Sequence, residues 1–194
     1  MPTARAADSS LLHPRALNLT RSAALVLSFA VLTALAGQIR IPVPFSPVPL
    51  TLQLVPVLLA GAVLGPGRGA MSQIALLAAG GLGLPVFSGG TAGPVHLLGA
   101  TGGYLVGFVG AAWLVGRLIQ GPVRLGPGGV AVSMMAGAAL IHLFGVVHLA
   151  IFLGGSLKWA LDLGSIPFLA ADLLKSIIAA SLFIGWSWRR QASE

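Results

Sequence analysis

From Gly69 to Gly116 the chain runs 48 residues without an Asp, Glu, Lys or Arg. The runs from Ile41 to Gly67 and from Leu125 to Leu157 are equally free of full charge. A helix needs about 20 apolar residues to cross the hydrocarbon of a bilayer, so these runs predict membrane spans. Composition excludes the soluble alternative. The chain is 56% hydrophobic and 8% charged, against about 25% charged in soluble domains, and cannot coat a globule with polar surface. Its 194 residues allow roughly six or seven spans.

The net charge of +7 is not a nucleic-acid signal, because the basic residues stand singly between apolar runs, with no patch and no interleaved aromatics. There is no cysteine, which excludes disulfides and thiolate chemistry. Apolar segments fall at about 20–38, 53–65, 69–83, 97–119, 128–154 and 165–188. The first, with no evident cleavage site, reads as a span and not a removed signal. Residues 1–18 are polar and read as a disordered cytoplasmic tail, which leaves 19–190 as one transmembrane domain. The second and third segments are short, as happens where an adjoining loop dips into the membrane.

Basic residues orient the chain. With the N-terminus inside, Arg5, Arg15, Arg21, Arg68, Arg117, Arg124, Arg189 and Arg190 share one face, and Arg40 and Lys158 the other. This positive-inside bias predicts six spans in the cytoplasmic membrane with both ends cytoplasmic. Trp186 and Trp188 beside Arg189 and Arg190 suit interfacial anchors.

Two loops then lie on the outer face. Residues 40–53 hold Pro42, Pro44, Pro47 and Pro49, which makes the segment stiff and extended and not helical. Residues 83–94 are glycine-rich, suited to tight turns. Both are apolar, so both are expected to pack on protein as a lid. Gly99, Gly103, Gly107 and Ala111 form a small-residue row, expected to serve internal helix packing. Ala30 and Ala34 make a similar pair on the first span.

Asp172 and Lys175 are the unusual residues. At i, i+3 they share a face of the last helix with Phe168, Ser176 and Ala179. Asp172 lies seven residues past Ser165, about 10 Å below the outer edge at 1.5 Å per residue. An ion pair that only sets helix rotation is the bland explanation, and an apolar pair often replaces such a pair. Ionisable groups inside a membrane more often mark a substrate path. Lys175 suits a carboxylate, and Asp172 suits N–H groups of a neutral ring. His142 and His148 are six apart and face different sides of one helix, so they read as packing or interfacial histidines and not as a metal pair. His96, at a loop end, reads as solvated. No Gly-Lys dipeptide occurs, so the chain has no P-loop. Ser88 has no base at a defined spacing, which argues against a serine hydrolase.

Ile-Pro-Val-Pro-Phe-Ser-Pro-Val-Pro-Leu-Thr-Leu-Gln (41–53), Gly-Leu-Pro-Val-Phe-Ser-Gly-Gly (83–90), Thr-Gly-Gly-Tyr-Leu-Val-Gly-Phe (101–108) and Pro-Phe-Leu-Ala-Ala-Asp-Leu-Leu-Lys (167–175) resemble the BioY family. These are biotin-specific substrate-capture (S) components of energy-coupling-factor (ECF) transporters. The resemblance covers nearly everything after about residue 20, although Ala100 replaces a usual proline. It implies an all-α, six-helix fold with a biotin pocket closed by the loops, Asp172 and Lys175 as ligand contacts, and Ala30 and Ala34 as a docking face. The implied partners are a transmembrane coupling protein and paired ATPases, so that this chain needs no cofactor, hydrolyses no ATP and is no enzyme. Ser88, Thr91, Thr101 and Tyr104 join the candidate ligand contacts by position and chemistry. A stand-alone secondary carrier, or capture of another small vitamin, is the alternative. Carriers often carry inverted repeats, and none is evident here.

Overall fold

The computed structural model describes residues 13–191. Residues 1–12 of the expected tail lie outside the described residues. From His13 the backbone is helical, in α1 (His13–Gln38). Pro14 sits in the first turn of that helix, where its missing N–H costs no hydrogen bond.

A short antiparallel ladder follows, β1 (Arg40–Ile41) and β2 (Leu50–Thr51), pairing Arg40 with Thr51 and Ile41 with Leu50. The four prolines between the strands supply no N–H, so the ladder stops at two pairs. Ser46 shapes the tip. Its hydroxyl donates to the carbonyl of Leu163 at 2.6 Å and accepts from the backbone N–H of Val48 at 3.0 Å. The expected stiff, non-helical loop is therefore a hairpin tied to the far end of the sequence.

Helices α2 (Leu54–Leu64) and α3 (Pro66–Gly81) turn sharply at Gly65, whose φ of 84° suits glycine. They have 11 and 16 residues, or about 16 and 24 Å at 1.5 Å per residue, less than the hydrocarbon thickness. After the glycine loop come α4 (Pro94–Leu98), α5 (Gly102–Ile119), α6 (Pro127–Phe152), α7 (Leu157–Gly164) and α8 (Leu169–Gln191). Among the described residues, Leu19–Gln38, Gly102–Ile119, Pro127–Phe152 and Leu157–Arg189 are long and apolar enough to span a bilayer. The short α7 goes beyond the sequence reading. Ser156 caps it by accepting from the N–H of Trp159 at 3.3 Å, and an exposed Lys158–Asp162 pair lies one turn apart at 2.6 Å.

Helices α5 and α6 pack most extensively. A Cβ on Gly103 would overlap His148, and one on Gly107 would lie 3.0 Å from the Cα of Ile141. The small-residue row serves internal packing, as expected, but Gly99 is not part of it, lying beyond the end of α4 with extended backbone. Gly61 of α2 meets the Ala112 backbone of α5 in the same way. Val57, Leu58, Val115, Met134 and Leu149 fill the centre with no exposure. Outward, Leu27, Val31 and Leu35 of α1 form an exposed stripe at four-residue spacing, the surface expected of a helix against lipid.

The two ends of the bundle differ. Arg21 and Arg68 line one groove with Trp186, and Arg124 lines another with Trp188. Gln120 donates to the carbonyl of Ala62 at 2.9 Å at this end. The hairpin, the glycine loop, α4 and α7 gather at the opposite end, with Arg40 over Gly89. Arg21, Arg68 and Arg124 thus lie at one end and Arg40 at the other.

Candidate ligand-binding site

Leu169 to Gln191 form a helix because nothing in them breaks one until the end of the described chain. That regularity places Lys175, Ser176 and Ala179 together facing inward, with Phe168 from the tight turn just before the helix, each 7% exposed or less. Asp172 sits among them. Its Oδ1 accepts from Lys175 Nζ at 2.7 Å, and its Oδ2 lies 2.9 Å from Nε2 of His142 on α6. The side chains of Lys175, His142 and Asp172 are only 8%, 13% and 17% exposed. Three groups that are costly to bury singly thus compensate one another.

The cluster forms one side of a partly open cavity. Val48, Pro49, Leu50 and Thr51 of the hairpin cover it, and Leu54, Leu105, Phe108, Ile141 and Phe168 make apolar walls. Gln53, Ser88, His96, Thr101 and Tyr104 add polar groups. Both loops expected to form a lid therefore contribute to this cavity. Four buried side-chain polar atoms among the described residues have no partner: Gln53 Nε2, Ser88 Oγ, His142 Nδ1 and Gln73 Oε1. Three of the four belong to residues of this cavity. Buried polar groups normally find partners, so the cavity has the chemistry of a ligand site.

Of the residues singled out in the sequence, Asp172, Lys175, Ser88, Thr101 and Tyr104 converge on the cavity. Thr91 does not line it; its hydroxyl donates to the carbonyl of Ser88 at 3.0 Å and approaches His96 Nε2 at 3.4 Å. Tyr104 is present but committed. Its hydroxyl donates to the Gly164 carbonyl at 2.6 Å, and its ring lies where a Cβ of Gly145 would be. It ties α5 to α6 and α7.

Ala30 is 7% exposed and belongs to the protein's own core, and Ala34 packs against that core. The docking role that the resemblance implies for this pair would use a face that already packs within the chain. Small residues let any helix approach closely, and here the neighbours are α2 and α3 of the same chain.

Three residues of the cavity were missed or misread. His142 was expected to be a packing or interfacial histidine. His96 was expected in solvent, yet its ring stacks on buried Phe87 at 5.1 Å between centroids, and Nε2 lies 3.2 Å from the Thr101 hydroxyl. Burial holds its pKa below the usual histidine value. Gln53 closes the proline motif, and nothing in its spacing marks it as a polar group of the cavity. The available signal was depth: His142 lies ten residues before the end of α6, near the level of Asp172. Among the described residues, no three His, Cys, Asp or Glu side chains group as a metal site.

The BioY family model matches residues 5–192. The chain belongs to the BioY family. Among its relatives, a protein of Pyrococcus horikoshii described as a probable biotin transporter BioY is 39% identical over 82% of this chain and 91% of its own length. The biotin transporter BioY of Rhizobium etli is 34% identical over 84% of this chain and 91% of that one. The fold is also that of a solved S-component for biotin from an ECF-type ABC transporter, with a TM-score of 0.79 and 24% identity, covering 91% of this chain and 93% of the other. That likeness concerns architecture. The cavity residues belong to this BioY family member itself.

Proposed function

We propose that this protein is the biotin-capturing component of an ECF-type transporter in the cytoplasmic membrane. The observation that carries this reading is the cavity beneath the loops, which joins an ion-paired cluster to residues holding three unpartnered polar atoms. The protein is a transporter-family member and not an enzyme.

Biotin offers a ureido ring with two N–H donors, an apolar bicyclic body and a carboxylate tail. Lys175 has three N–H donors, of which one goes to Asp172, leaving two for a ligand carboxylate. Each oxygen of Asp172 keeps a second lone pair for a ureido N–H. The apolar walls, including Leu105 and Phe108, suit the ring body. Ser88 and Gln53 supply further partners. Closure of the hairpin and glycine loop over the ligand excludes water and strengthens each of these contacts.

The chain then acts as one domain over 19–190, with α1 extending it to 13, and with both termini cytoplasmic. A transmembrane coupling protein and paired ATPases supply the energy, so that ATP is bound by the partners. Labelled biotin added to purified protein, with no nucleotide and no ion gradient, tests the reading. Saturable binding, displaced by biotin and not by thiamine or riboflavin, is expected. Folded protein that shows no saturable biotin binding overturns it.

A further inference from the structure

Both carboxylate oxygens of Asp172 already have a protein partner. Lys175 Nζ donates to Oδ1 at 2.7 Å, and His142 Nε2 lies 2.9 Å from Oδ2. The two partners hold the carboxylate differently. Lys175 is one turn along the same helix, so its bond sets no position relative to the rest of the protein. His142 is on α6, so its bond ties the carboxylate to a second helix. A carboxylate only accepts, so Nε2 carries the hydrogen in this bond. With both oxygens held, the carboxylate cannot rotate freely about its terminal bond. Tyr104, fixed by Gly164, stands edge-on to the imidazole at 6.4 Å and 83° and limits its orientation in turn.

His142 and Asp172 also separate two spaces. On one side is the cavity beneath the loops. On the other is a groove between α6 and α8, lined by Met135, Ala138, Leu169 and Leu173 among others. Leu169 and Leu173 are exposed on the outside of α8, so the groove opens laterally toward lipid.

We propose that His142 is a positioning residue for ligand capture: it aims the Asp172 carboxylate into the cavity and completes the wall between α6 and α8. The inference rests on the cavity being the biotin site. It departs from the packing role that spacing suggested, because a packing histidine affects stability with no specific effect on what Asp172 binds.

Four proteins test it: wild type, His142→Phe, Asp172→Asn and the double variant, each measured for biotin affinity and for the thermal unfolding midpoint without ligand. His142→Phe keeps the ring and removes the donor. Affinity is expected to fall roughly tenfold, as for loss of a hydrogen bond to a charged group. In the Asp172→Asn background the same change is expected to cost little more, because coupled residues do not add. His142→Gln, whose amide N–H reaches toward Asp172, is expected to restore binding. Unchanged affinity in His142→Phe, or equal losses in both backgrounds, overturns the proposal. If His142→Phe does not fold, His142→Gln and His142→Met are compared: tighter biotin binding by Gln supports the role, and equal binding overturns it. Wild-type protein that binds no biotin is a separate result, which removes the underlying reading and this inference with it.

Discussion

Lys175 is buried to 7% exposure with one protein partner, an arrangement that leaves donors for a ligand. Lys175→Met keeps the apolar stem and removes the ammonium. If Lys175 reads the carboxylate, biotin affinity falls about tenfold to a hundredfold, from about 1.5–3 kcal/mol for a hydrogen bond to a charged group. A biotin amide, which carries no carboxylate, is weakened far less. A titration of both ligands against folded variant decides the matter, and equal losses sink the assignment. Spacing was sufficient to pair Lys175 with Asp172, because i, i+3 residues meet on any helix. It was insufficient for His142, which reaches Asp172 across 30 residues of sequence. The same limit applies to His96, whose half-buried ring stacks on Phe87 in another segment.

At the scale of elements, glycine sets how closely the helices approach. The Tyr104 ring occupies the space beside Gly145, where an added Cβ would collide with it. Gly145→Ala should therefore destabilise the protein by about 1–3 kcal/mol, the usual cost of overpacking. The check is a lower unfolding midpoint in detergent. Gly185→Ala, inside α8 where a Cβ meets nothing within 4 Å, serves as the control and should leave the midpoint in place or raise it, since alanine favours a helix over glycine. An equal shift in both variants removes the packing argument. Helix existence was legible from apolar runs, and the proline loop from its φ restriction. The hairpin pairing and α7 were not, since both depend on contacts such as Ser46 with Leu163. Ala30 and Ala34 show the same limit: a small stripe declares close packing but not its partner.

For the whole molecule, the separation of Arg21, Arg68 and Arg124 from the loop end supports a fixed orientation in the membrane. The chain has no cysteine, so single cysteines report on sidedness without background. Phe45→Cys in the hairpin, at an exposed position, should react with an impermeant thiol reagent added outside intact cells. Gly67→Cys, where nothing lies within 4 Å of an added Cβ, should react only after the cells are opened. The opposite pattern inverts the topology and moves the cavity to the cytoplasmic side. By itself the sequence determined the membrane setting, the helical class, the two special loops and the inward face holding Asp172 and Lys175. These follow from composition and from local backbone rules that act over a few residues. Only the tertiary structure decided that Tyr104 serves as a strut, that Ala30 faces the core, and that His142, Gln53 and His96 join the cavity. Each of those depends on which distant surfaces touch, and that choice is made by the packing of all the helices together.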